Sequence, residues 1–197
     1  MSSTALEEMH HLEPHIRVAR ARAGVIMFIL SDAISVVAIM AAGGYLSELN
    51  VANQYRLPTD HPSAFLLGLL FAIALLVSGL AYYWWEQRVR KNQVAGQGTP
   101  FILALIFMVV ALVLQVWMGL TLGYSAPFHA YESLILLLTW YSAVHLLLAA
   151  IIGILLVGRM RRGRLTGQEY IIEVTGYWWY YTVIAGVLMW LFSTILI

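Results

Sequence analysis

Four residues in the apolar part of this chain could do chemistry that hydrocarbon side chains cannot: Asp32, Ser35, Ser142 and His145. Asp32 stands in FILSDAISVV. An ionised carboxylate taken out of water there is costly unless it is paired or protonated. Ser35 lies three residues further on and shares its helical face, so its hydroxyl is placed to hydrogen-bond the carboxyl. Ser142 precedes His145 by one turn in LTWYSAVHLL. A buried carboxylate and an imidazole can bind, release or pass on protons, the only chemistry this small set offers. Their nominal depths differ. At 1.5 Å per residue, Asp32 lies about 12 Å past Gly24, whereas His145 lies about 20 Å before Gly158 at the same surface. A contact between them therefore requires tilted helices; otherwise each is satisfied by its own hydroxyl neighbour or a backbone carbonyl.

Cofactor chemistry is not expected of this chain. A haem held between two histidines, or a copper held by three, needs several imidazoles converging at one depth. The spans offer one candidate, His145, while His61 and His129 fall in connecting loops. With 0 Cys there is no disulfide, thiolate metal site or thiol nucleophile. No Gly-rich phosphate loop, zinc motif or nucleophile–base pair is present, so no catalytic, cofactor-binding or metal-ligating residue is assigned. The tail MHHLEPH, with His10, His11 and His15, reads as ordinary solvent-exposed chain.

The elements that must position Asp32 and His145 follow from composition. The 197 residues are 61% hydrophobic and 11% charged, with mean hydropathy +0.81. A soluble domain has about half apolar and a quarter charged residues, so this is an integral membrane protein. A hydrocarbon layer about 30 Å thick needs roughly 20 apolar residues as helix. Five segments qualify: Gly24–Leu46, Ala64–Trp85, Phe101–Gly123, Ser133–Gly158 and Thr175–Ile197. The expected fold is all-α, a bundle of five transmembrane helices, with residues 1–23 as a cytoplasmic tail and 24–197 as the membrane domain. Short connections make neighbouring helices antiparallel.

Charge placement sets the orientation. Arg17, Arg20 and Arg22 precede the first span; Arg88, Arg90 and Lys91 follow the second; Arg159, Arg161, Arg162 and Arg164 follow the fourth. The two opposite loops hold only Arg56. The positive-inside bias puts the N-terminus in the cytoplasm and the C-terminus outside. YYWWEQRVRK and GYWWYY set aromatics at span ends, as headgroup belts do, or as packing between helices. Glu86 lies four residues before Arg90, the spacing of a solvated ion pair. Glu132 favours the N-terminal dipole of its helix. Glu173 precedes the fifth span. There is no internal repeat, and no proline interrupts a span, which argues against an inverted-repeat transporter.

Three stretches together resemble subunit III of the haem–copper terminal oxidases. RARAGVIMFILSDAISVVAIMAAGGYL is similar to the family's helix carrying a Gly, an apolar run and a Ser-Glu pair, here Ser31-Asp32. LLLTWYSAVHLLLAAIIGILLVGRMRRGR is similar to its helix with a Thr-Gly-x-His-Gly-x-His pattern and a basic loop. Thr139 and His145 match the Thr and the second His, and Ser142 stands for the first His. EVTGYWWYYTVIAGVLMWLF resembles the family's Glu followed by a Tyr-Trp-His-Phe cluster; from Glu173 the cluster reads Trp178, Trp179, Tyr180, Tyr181. In the weaker LQVWMGLTLGYSAPF, Met118 replaces an acid of the family.

Five spans match the short form of that subunit. The resemblance implies a non-catalytic subunit of a cytochrome c oxidase in a bacterial inner membrane, packed on the cofactor-bearing subunit I and near subunit II. It implies haem and copper in those partners and none in this chain. It further implies bound phospholipid, support of sustained proton uptake, and no dealings with nucleic acid. Asp32 then stands at the family's intramembrane carboxylate, one methylene shorter than Glu, and Glu173, Trp178, Trp179 and Tyr180 are expected at a subunit or lipid interface. A quinol oxidase or nitric oxide reductase complex is the nearest alternative. A small proton-coupled transporter using Asp32 and His145 is the alternative of another class.

Overall fold

The computed structural model describes residues 14–50, 55, 65–91, 98–123, 130–165 and 170–196. Those residues form helices α1 (Pro14–Glu48), α2 (Phe65–Arg90), α3 (Thr99–Thr121), α4 (Ala130–Arg161) and α5 (Tyr170–Leu191), the last followed by a π-helical turn at Phe192–Leu196. No strand occurs among the described residues. Four helices, α1 to α4, are long and apolar enough to cross a membrane. α5 is not among these four; five consecutive aromatics, with Thr and Gly residues beside them, occupy its middle.

Helix ends follow local chemistry. α1 begins at Pro14, ten residues before the expected start of the first span, so much of the expected tail is helix. Proline suits a first helical turn because its missing N–H has no partner there anyway. His15 lies in this helix, while His10, His11, His61, His129 and Arg56 lie outside the described residues. Gly163, two residues past the end of α4, has a φ of 65°, which is open to glycine at little cost. Its N–H donates to Met160 O at 3.0 Å, and Arg164 N–H donates to Arg159 O at 3.0 Å, which closes off the last carbonyls.

Helices α2, α3, α4 and α5 pack in a ring. Neighbours run antiparallel: near the end of α2, Trp85 stacks on Phe101 near the start of α3 and Tyr82 meets it edge-on, and Gly68 near the start of α2 meets Trp190 near the end of α5. The core joins Phe71, Leu75, Phe101, Ala104, Met108, Leu146 and Trp179, all fully buried. Alanines at Ala74, Ala104, Ala111 and Ala149 bring the backbones close, the usual route to tight packing between helices in lipid.

α1 stands outside the ring, against α5 and α4. Only 6% of its most apolar window is buried, against 33–44% for the other three apolar helices. Ser31, Ser35, Ala38 and Ala42 face outward, as do Met27, Ile34 and Val37. Dispersion and apolar contact therefore hold α1 weakly, and its polar contacts matter correspondingly more.

Candidate functional site

Three helices converge on the carboxylate of Asp32. From α4, the Tyr141 hydroxyl donates to Oδ1 at 2.6 Å, and Nε2 of His145 lies 2.7 Å from Oδ2. From α5, the Tyr181 hydroxyl donates to Oδ2. Tyr141 and His145 are four apart and so share one face of α4. The Asp32 side chain is 15% exposed and that of His145 6%. Trp178, three residues before Tyr181, lies flat over the imidazole, with centroids 5.5 Å apart and planes 15° from parallel. Trp178 also packs against Phe28 of α1 at 5.0 Å and Tyr181 at 5.6 Å. The imidazole is thus held by a wall of rings and by hydrogen bonds at both nitrogens.

Those bonds fix the proton count. Nδ1 of His145 sits 2.7 Å from the carbonyl oxygen of Tyr141, an acceptor without a proton, so Nδ1 carries the hydrogen. The contact of Nε2 with Oδ2 then needs one proton between them. It is either a carboxylate with an imidazolium or a carboxyl with a neutral imidazole, and both have zero net charge. The pair is therefore electrically neutral in the apolar layer, which removes most of the cost of burying Asp32. Chemically it can hold a proton and exchange its position without exposing a net charge to the hydrocarbon.

The serines play other parts. Ser35 Oγ donates to the carbonyl of Ser31 at 3.2 Å instead of to Asp32. Ser142 Oγ is buried without a hydrogen-bond partner, so it does not satisfy His145. The depth mismatch expected between Asp32 and His145 disappears once the true helix ends are used. Asp32 lies 18 residues inside the start of α1 and His145 lies 16 before the end of α4. Those are depths of about 27 and 24 Å, nearly level.

The stretch Tyr177–Tyr181 sends its five rings to different parts of the bundle. Tyr177 donates to Glu173 at 2.5 Å, Tyr180 to Glu86 at 2.5 Å, and Tyr181 to Asp32. Trp179 donates to Ser78 Oγ at 3.1 Å and stacks on Tyr82 at 4.9 Å. Trp178 is 5% exposed and Trp179 fully buried, while Tyr180 and Glu173 are half-buried. These four, expected at a subunit or lipid interface, make contacts within the chain: Trp179 bonds to Ser78, Tyr180 to Glu86 and Glu173 to Arg22, whereas the indole N–H of Trp178 is buried without a hydrogen-bond partner. Glu86 is likewise buried, and receives both Tyr180 and Arg90, the latter at 2.8 and 3.2 Å.

Near the arginine-rich end, in the first turn of α5, Glu173 accepts from Arg22 of α1 at 2.7 Å. Burial pushes the Glu173 carboxyl up, but the Tyr177 hydroxyl and the Arg22 guanidinium, helped by Arg90, outweigh it and hold the group below the usual range. α1 thus has two polar fastenings to α5, Arg22–Glu173 at one end and Asp32–Tyr181 in mid-span. Tyr141 was not singled out by the sequence, and Tyr181 entered only as the last residue of the aromatic cluster, without a role at Asp32. The one signal for Tyr141 is its place four residues before His145, and for Tyr181 the aromatic run itself.

Among the described residues, no three His, Asp or Glu side chains converge as a metal-binding group. Compared with known proteins, the chain matches no family model and no curated sequence.

Proposed function

We propose that the chain is a non-catalytic supporting subunit of a respiratory haem–copper oxidase, of the subunit III type in its short five-helix form. In this reading α5 is the fifth span, the N-terminus is cytoplasmic and the C-terminus lies outside a bacterial inner membrane. The observation that carries it is the meeting of Asp32 with His145. The Ser31-Asp32 stretch and the Thr139–His145 stretch resemble the family separately, and they close on each other across α1 and α4. The gathering of Arg22, Arg88, Arg90, Arg159 and Arg161 at one end of the bundle supports the orientation. The exposed apolar face of α1 fits burial against phospholipid or a larger subunit.

Haem and copper belong to subunits I and II in this reading. This chain contributes a neutral carboxylate–imidazole pair and packing surface to an enzyme that takes up protons in turnover. Oxidase isolated without this chain should reduce oxygen at its normal initial rate and then lose activity as it turns over. An initial rate and time course identical to those of the full complex would overturn the proposal. Parallel turnover with nitric oxide as acceptor separates the oxidase from a reductase complex, and turnover with cytochrome c or quinol separates the donors.

The Asp32–His145 contact also favours a second reading, a small proton-coupled transporter, since intramembrane ionisable pairs commonly relay protons. Proteoliposomes carrying the chain alone decide this: solute uptake driven by a pH gradient would establish it, and its absence leaves the subunit reading standing.

A further inference from the structure

At the end of the bundle away from the arginines, α3, α4 and α5 line a partly open cavity with about 20 Å³ accessible to the centre of a water molecule. Its walls are mostly apolar, with Met118, Leu138 and Met189 among them, yet Gln115, Ser142 and Ser193 also line it. Gln115 is 5% exposed and Ser142 2%. Gln115 Oε1 and Ser142 Oγ are both buried with no hydrogen-bond partner.

The orientation of the amide is not arbitrary. Gln115 Nε2 donates to the backbone carbonyl of Thr139 at 3.0 Å. Flipping the amide would set two oxygens against each other, so Oε1 is the atom left over. An unsatisfied carbonyl or hydroxyl in an apolar interior is destabilising, and the surrounding hydrocarbon offers no bulk water to relieve it. Either group could have been a leucine or an alanine at no such cost.

We infer that this cavity is a binding site for one ordered water molecule, donating to Gln115 Oε1 and bonded to Ser142 Oγ. The space suffices, since a single water needs about 10–15 Å³ measured in this way and two to four polar partners. Ser193 Oγ, which donates to Trp190 O at 2.9 Å, keeps lone pairs free to accept the second water hydrogen. The water then adds a second polar link between α3 and α4 beside the Gln115–Thr139 bond, and reaches the third wall through the turn after α5. This site is independent of the subunit reading and of the Asp32–His145 pair.

Two measurements on the full-length protein in nanodiscs test it. A density map fine enough to show ordered water should contain a peak within hydrogen-bond distance of Gln115 Oε1 and Ser142 Oγ. A map that shows other internal waters but nothing here overturns the proposal. Ser142→Ala should lower Tm by roughly 2–4 °C, because a bound water loses a partner. A dry cavity predicts the opposite sign: deleting an unpaired hydroxyl leaves Tm unchanged or raises it.

Discussion

Replacing His145 by alanine removes one of three groups that hold the Asp32 carboxylate, and the structure sets the size of the loss. The Nε2–Oδ2 bond is charge-assisted in its ionic form, and such bonds are worth about 1.5–3 kcal/mol. Loss of the imidazole from the face of Trp178 adds about 0.5–1.5 kcal/mol. Tyr141 and Tyr181 remain as donors, so the carboxylate is not left bare. His145→Ala should therefore cost about 2–4.5 kcal/mol. Asp32→Asn preserves shape but cannot accept from both tyrosines and serve His145 at once, so it should cost about 1–3 kcal/mol. If the two residues act as one neutral pair, the double variant should cost less than the sum by about 1–2 kcal/mol, since neither partner is then stranded. The assay is reversible unfolding in mixed micelles titrated with SDS, followed by tryptophan emission, for the four proteins of the cycle. Single effects that add to within about 0.5 kcal/mol would refute a shared proton between these groups.

Three further outcomes are expected. Gly68→Ala should destabilise the bundle by about 1–3 kcal/mol, because a Cβ there would lie 1.9 Å from Trp190 Nε1, and thermal unfolding reads this directly. Ser78→Ala leaves the buried Trp179 indole N–H without its acceptor and should cost about 1–3 kcal/mol, whereas Ser78→Thr should recover part of the loss. Because Glu173 is held below its ordinary carboxyl value, its bond to Arg22 is fully present above that value, near 4.3, and is lost as pH falls through the folded value. A crosslink between cysteines placed at the facing ends of α1 and α5 should therefore weaken on acidification in the parent chain, and show no such dependence in Glu173→Gln.

Much of the bundle was legible in the sequence because the hydrocarbon layer imposes a length and a composition on each helix. Of the five spans expected, four appear as helices long and apolar enough to cross a membrane, in the expected order, and the arginines gather at one end as the positive-inside bias requires. The helix ends were less legible: α1 runs back to Pro14 and α4 on to Arg161, since backbone hydrogen bonding continues past the apolar run. That extension is why Asp32 and His145 stand nearly level although depths counted from Gly24 and Gly158 set them about 8 Å apart. The partners of Asp32 were hidden for another reason. Ser35 is near in sequence, but a serine in a helix can satisfy itself on the carbonyl one turn back, as it does here with Ser31. Tyr141 and Tyr181 reach the carboxylate across helix interfaces, and rotation of a helix about its axis leaves no local mark in the sequence. The aromatic run at Tyr177–Tyr181 has the composition of a headgroup belt, and only its neighbours reveal that its polar edges are turned inward.

The claim that this chain serves a haem–copper enzyme is tested most directly by what accompanies it out of the membrane. Affinity isolation of the tagged chain in mild detergent, with reduced-minus-oxidised spectra and intact mass of the chains recovered, is the measurement. The account predicts a stoichiometric partner with many transmembrane helices and a haem spectrum. Isolation of the chain as a homogeneous species with no haem-bearing partner would contradict it.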